Sequence, residues 1–146
     1  MSRQAAFLVL LVASSLYAIA RGGRPEQIGA VTLLVGAIAS LWVVHPRGAR
    51  FYHLETGILM TDMAILGVFL WLSIQSSRFW PIWITAFVAA EVIIHLAFLI
   101  APKVNWLAYM DATALWSWAA QTILILATWR HRQRVKTLGV DASWKT

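Results

Sequence analysis

The sequence predicts an all-α fold, a polytopic membrane protein with a bundle of about five transmembrane helices and short loops. Hydrophobic residues make up 60% of the 146 residues, and charged residues only 12%. The mean hydropathy is +0.71, and a soluble domain of this size has no room to bury that much apolar surface. Because a helix needs roughly 20 apolar residues to cross a bilayer core, with ~17 as the practical minimum, long apolar stretches predict spans. These are residues 5–20, 28–44, 57–74, 79–100 and 104–129.

The first stretch is the shortest, and its N-terminal side resembles a secretory signal. Arg3 precedes an apolar run, and the small residues Ala18 and Ala20 resemble a cleavage site. We interpret residues 5–20 as a retained first helix. Gly22 and Gly23 then separate it from the second helix, where Pro25 lies at a position that suits the first turn.

Glycine, proline and polar residues also separate the later spans. The second helix is predicted to end at residues 45–48, the third at 76–78 and the fourth at 101–103. Residues 130–146 form a basic tail after the fifth span. No segment outside the spans is long enough to fold separately, so the sequence predicts a single transmembrane domain over residues 1–146.

The charges favour a membrane topology over a nucleic-acid partner. The chain has a net charge of +6 and no cysteine, which excludes disulfides and thiolate metal sites. With five spans, one side of the membrane holds four basic residues and the other side, with the tail, holds eight. Cytoplasmic loops carry the excess of Lys and Arg. We therefore predict a bacterial inner-membrane protein with its N-terminus outside and its C-terminus in the cytoplasm.

Four ionisable residues lie inside the predicted spans. Asp62 is on the third helix, Glu91 and His95 are on the fourth, and Asp111 is on the fifth. At ~1.5 Å per residue, all four lie at roughly 7 to 14 Å from the same face of the membrane. Glu91 and His95 are four residues apart and therefore share one helix face. Because an ionisable group inside a membrane is costly, such a cluster suggests function by default.

This cluster has three interpretations. A structural network of polar contacts between helices is favoured. A proton or ion path is the next alternative, and ligation of a metal or cofactor is the third. The sequence identifies no metal ligand set, no catalytic residue and no particular cofactor.

Small residues and tryptophans predict helix contacts. Thr32, Gly36 and Ser40 recur every four residues, which lets helix backbones approach closely. We expect this stripe to pack against Ser14 and Ala18 of the first helix, with a subunit contact as the alternative. Tryptophans near span ends are predicted at the membrane interfaces, and the two in the middle of the fifth span are predicted to pack between helices. The first group is Trp42, Trp80, Trp83, Trp106 and Trp129, and the second is Trp116 and Trp118.

The function predicted from the sequence is non-enzymatic. No phosphate-binding loop, nucleophile elbow or zinc motif is present in the sequence. The leading hypothesis is an accessory or scaffolding subunit whose partners are the lipid bilayer and other membrane subunits or a second copy. The alternative is a small ion- or proton-coupled transporter or channel that uses Asp62, Glu91, His95 and Asp111. An intramembrane enzyme or cofactor binder is third.

Overall fold

The computed structural model describes residues 3–43, 56–100 and 106–145, with side chains for all of these except 98, 99 and 106–114. These residues form five α-helices and no β-strand. Four are long and apolar enough to cross a membrane, namely α1, α2, α3 and the Trp80–Ala97 part of α4. The described chain is therefore compatible with a multi-pass membrane protein. The helices are α1 (Arg3–Arg21), α2 (Arg24–Val43), α3 (Thr56–Gln75), α4 (Trp80–Ile100) and α5 (Trp106–Leu138).

The helices pack as a closed ring. Each helix contacts the next one along the chain, α5 closes the ring against α1, and α2 also contacts α5. Phe7 packs against Trp118, and Gly23 lies beside His131, so α1 and α5 run in the same direction. We call the end with the α1–α2 and α3–α4 connections the tail end, and the other the N-terminal end.

The tight turn between α1 and α2 depends on glycine and on Glu26. A Cβ at Gly22 would lie 2.5 Å from the Ala18 carbonyl oxygen and 2.6 Å from the Glu26 Cβ, so no side chain fits there. The Gly23 amide donates to Glu26 Oε2 at 3.0 Å, and the Gln27 amide closes the first turn on the Gly23 carbonyl at 3.0 Å. A carboxylate that reaches back in this way caps the start of a helix.

The fifth helix is longer than its predicted span. It continues from Trp129 to Leu138, through the first part of the predicted tail. Gly139 then ends it at a φ of +76°, where its amide bonds the Val135 carbonyl at 3.0 Å. A left-handed glycine is a common helix terminator. The predicted breaks at 45–48 and 101–103 lie outside the described residues.

Apolar side chains fill the interior and also cover the outside. The core centres on Phe69, Leu72, Ile84 and Leu124, all fully buried. Many large apolar side chains remain exposed on every described helix, which is compatible with contact with lipid.

The tryptophans near the helix ends differ in burial, and the two in the middle of α5 pack against other helices as predicted. Trp42 is 85% exposed, but Trp80 is buried because its ring packs against Phe69 and its indole reaches Glu26. Mid-span Trp116 stacks on Phe87, and Trp118 packs against Phe7. The side chain of Trp106 lies outside the described set.

Candidate functional site

A carboxylate and a histidine meet between α3 and α4 near the N-terminal end. Asp62 Oδ2 lies 2.9 Å from His95 Nε2, and the two side chains are 12% and 4% exposed. The α3–α4 pairing that positions them is also joined nearer the tail end, where the Ser73 and Thr85 hydroxyls are 2.9 Å apart. Since Asp62 and His95 come from different helices, this contact is a product of tertiary packing.

Glu91 extends this group of residues to α5. It lies one helical turn from His95, and Ser117 Oγ donates a 2.8 Å hydrogen bond to Glu91 Oε1. We call Asp62, Glu91, His95 and Ser117 the intramembrane cluster. The helical backbone of α5 includes Asp111, but the side chain of Asp111 lies outside the described set. The structure thus brings together three of the four ionisable residues that the sequence singled out and adds a serine to them.

The side chains of the intramembrane cluster are all able to exchange protons. Among the described residues, no group of three or more His, Asp or Glu side chains is arranged to hold a metal ion. The Asp62–His95 pair and the Glu91–Ser117 pair consist of groups that can each accept or donate a proton. Burial makes every such charge costly, so paired or shared protons are favoured there.

A second ionic group at the tail end was missed by the sequence analysis. Arg78, from the α3–α4 connection, is 4% exposed and forms an ion pair through Nη1 with Asp141 Oδ1. Arg78 Nη2 also donates to the Asp141 carbonyl at 3.2 Å. On its other side Arg78 Nε lies 3.7 Å from Glu26 Oε1, which accepts a 2.8 Å hydrogen bond from Trp80 Nε1. We call Glu26, Arg78, His131, Arg134 and Asp141 the tail clasp.

His131 and Arg134 bind the same carboxylate from α5. His131 Nδ1 lies 2.7 Å from Asp141 Oδ2, and Arg134 Nε donates to that oxygen at 3.0 Å. Two acceptors cannot approach so closely without a proton between them, so His131 Nδ1 carries the hydrogen and donates it to Asp141. The 3.2 Å approach of Arg78 Nη2 to the same nitrogen is then a contact between two donors.

The pKa of Asp141 reflects these donors. Its partial burial acts to raise the pKa, but hydrogen bonds from Arg78, Arg134 and His131, with the charge of Arg78, outweigh burial and hold the pKa below its ordinary value. Asp141 is therefore an anion at neutral pH, and it neutralises part of the basic charge that converges on it.

The tail after α5 returns to the end of α3. The Ser77 amide donates to the Ser143 carbonyl at 3.2 Å, and the Lys145 amide donates to Gln75 at 2.9 Å. Lys145 Nζ donates to the last carbonyls of α3, at 2.8 Å to Ile74 and 3.2 Å to Ser73. A cation at a helix C-terminus is favourable because it meets the negative end of the helix dipole. The tail thus closes one end of the bundle.

The small-residue stripe faces α3. A Cβ on Gly36 would lie 2.4 Å from Ile65 Cδ1, so the close approach that the stripe permits is to α3 and not to α1 as expected. The Thr32 hydroxyl donates a hydrogen bond to the Ile28 carbonyl at 2.8 Å, and Ser40 is half-buried on the same helix. The α1 residues Ser14 and Ala18 are also buried, and Ser14 Oγ donates to the Leu11 carbonyl of its own helix at 3.1 Å.

Comparison with known proteins identifies no relative. No protein-family model, no curated protein and no solved structure matches this chain. The function must therefore be argued from the geometry alone.

Proposed function

We propose that this chain is a multi-pass protein of the bacterial inner membrane that acts as a non-enzymatic accessory or scaffolding subunit. In this proposal it packs within the bilayer against another membrane subunit or a second copy of itself. The support is an open apolar groove between α2 and α3, on the outside of an otherwise closed ring.

The groove has the size and chemistry of a contact for a neighbouring helix. Its volume is about 560 Å³, and its lining is almost wholly apolar. The hydroxyls of the two threonines in the lining donate hydrogen bonds to backbone carbonyls of their own helices, at 2.8 Å for Thr32 and 3.0 Å for Thr61. The groove extends from Val31 to Val43 along α2, which is ~18 Å of helix. A row of side chains from another transmembrane helix fits such a groove, because helices associate in lipid through close packing.

The exposed rims of the groove provide the test. Val35 is 58% exposed and Met60 is 67% exposed, so neither supports the core. Val35→Trp and Met60→Trp should fill the groove and release the partner without unfolding the chain. Leu126→Trp, at a 53% exposed position of α5 outside the groove, is the matched control.

The measurement is native mass after gentle detergent extraction from the native membrane. We expect the wild type and Leu126→Trp to retain a second copy or another membrane protein, and both groove variants to lose it. A wild-type chain that runs as a lone monomer, with no protein copurifying, would contradict the accessory-subunit proposal.

A further inference from the structure

A row of buried and half-buried polar side chains follows one face of α5 from the intramembrane cluster to the tail clasp. Ser117 bonds Glu91 at one end, and His131 bonds Asp141 at the other. Between them, Gln121 is 1% exposed and Thr128 is fully buried. Successive spacings of four, seven and three residues keep all four side chains on one helix face. The distance from Ser117 to His131 is ~21 Å, most of a ~30 Å bilayer core.

A serine of α1 lies at the level of the one long gap in this row. Ser15 is fully buried and is midway between Phe7, which contacts Trp118, and Gly23, which lies beside His131. Since α1 and α5 run parallel, Ser15 has about the same depth as Leu124. It therefore lies between the levels of Gln121 and Thr128.

Two polar atoms in the middle of this row have no hydrogen-bond partner. They are Ser15 Oγ and Gln121 Oε1, two of four such buried side-chain atoms in the described part of the chain. An unsatisfied buried polar group destabilises the fold, and ordered water is one of the partners that satisfy such groups. A water molecule that reached either atom would be stabilised by the hydrogen bond that it supplies.

Titratable groups occupy both ends of the row. At the N-terminal end, α3 contributes Asp62 and α4 contributes Glu91 and His95. The backbone of α5 carries Asp111 there, and α1 begins there with Arg3. At the tail end the groups are those of the tail clasp. A proton therefore has an acceptor at each end and hydroxyl groups between.

We propose that this row, Ser117, Gln121, Ser15 and Thr128, is a proton pathway between the intramembrane cluster and the tail clasp. A proton bound at the cluster is passed along hydroxyls and water, each of which accepts one proton as it gives up another. Gln121 orients water through Oε1, and His131, whose Nδ1 hydrogen is held by Asp141, receives the proton on its other ring nitrogen at the tail end. One proton enters for each that leaves, with no redox step. The pathway rests on the membrane location that we propose above, but not on a partner subunit.

The test measures proton flux through purified protein in liposomes. A pH-sensitive dye is enclosed, and a potassium gradient with valinomycin supplies the driving potential. We expect flux above that of protein-free liposomes, and a loss of about tenfold or more in Thr128→Val, which corresponds to ~1.4 kcal/mol in the barrier. Thr122→Val is the matched control, because Thr122 is exposed on the same helix and also bonds the carbonyl four residues earlier.

Ser15→Ala separates conduction from stability. It removes a buried hydroxyl without a partner, so the variant should fold at least as well as the wild type while its flux falls. If the row only packs the helices, Ser15→Ala stabilises the chain and leaves the flux unchanged. That result overturns the pathway, as does a wild-type flux equal to that of empty liposomes or an equal loss in Thr122→Val.

Two further arms identify the ion and the state of the protein. If a sodium or potassium current measured at constant pH is as large as the proton flux, the conducted ion is the metal cation and not the proton. That result would overturn the proposal. Flux through a chain that native mass shows to be a lone monomer would support the pathway while contradicting the accessory-subunit proposal, so the two can fail separately.

Discussion

At the scale of single residues, several charges that appear in the sequence as loop residues are buried in the structure. Glu26 is fully buried and Arg78 is almost fully buried, although both lie at or next to short connections. Removing one partner of a buried pair leaves an uncompensated charge, which is far more costly than the loss of a surface pair. Arg78 therefore links the α1–α2 turn to the tail, in addition to any effect on topology.

Acid should loosen the tail through Asp141. Its pKa is held below the ordinary value in the folded protein, so its contribution to stability is complete at neutral pH and is lost as the pH falls below about 4. Asp141→Asn should remove this pH dependence of stability and leave the tail weakly bound at every pH.

Hydrogen exchange at the Ser77 and Lys145 amides measures this effect, because both amides bond across the tail contact. Comparing the wild type with Asp141→Asn at each pH cancels the intrinsic chemistry of exchange. Equal protection in the two proteins at pH 7 would show that Asp141 does not hold the tail.

At the scale of helices, glycine determines which helices approach closely. Gly36 and Gly67 lie in the middle of neighbouring helices, but only Gly36 faces a packed partner. A Cβ on Gly36 would lie 2.4 Å from Ile65 Cδ1, whereas a Cβ on Gly67 would have nothing within 4 Å. Gly36 therefore helps α2 and α3 to approach closely, as does Gly57 of α3, where a Cβ would collide with Val43 of α2.

Gly36→Leu should destabilise the chain itself, by ~1–3 kcal/mol if the cost follows that of overpacked cores, because Ile65 and α3 must move. Gly67→Leu is the control, and it should be neutral or slightly stabilising because leucine favours a helix over glycine. Thermal unfolding in detergent compares the two. An unfolding midpoint of Gly36→Leu equal to that of Gly67→Leu would contradict the observed α2–α3 packing.

At the scale of the whole molecule, the ring has two chemically different ends. The tail end gathers Arg21, Arg24, Arg78 and the basic residues of α5 and the tail, partly neutralised by Glu26 and Asp141. The excess of Lys and Arg at this end supports our proposal that it faces the cytoplasm.

A reporter that is active only in the periplasm tests this orientation. Fused after Thr146, it should be silent, and inserted within residues 44–55, it should be active. Activity after Thr146 would reverse the topology and move the intramembrane cluster to the cytoplasmic half of the membrane. Both fusions should be compared at equal amounts of protein in the membrane.

Much of the architecture follows from local features of the sequence. Apolar stretches separated by glycine and proline predict the number of helices and most of their bounds, because these features act within a few residues. The long α5 was underestimated, since its basic C-terminal part resembles a loop in composition but lacks a helix breaker before Gly139.

The contacts between helices were less predictable. Equal depth indicated that Asp62, Glu91 and His95 lie in one layer, but it could not indicate that Asp62 meets His95 while Glu91 meets Ser117. The tail clasp joins residues more than fifty positions apart, such as Glu26 and Arg78, and nothing in their spacing indicates the contact.

The sequence by itself determined that the chain is all-helical and apolar enough for a membrane, and at what depth its polar residues lie. Only the tertiary structure decided which faces meet, that Gly36 packs against α3, and at which levels of the bundle the buried polar groups of α1 and α5 lie. The physical reason is that a helix apolar on nearly every side has no single stripe that determines its rotation. Its orientation depends on close packing and on a few polar contacts with neighbours far away in the chain.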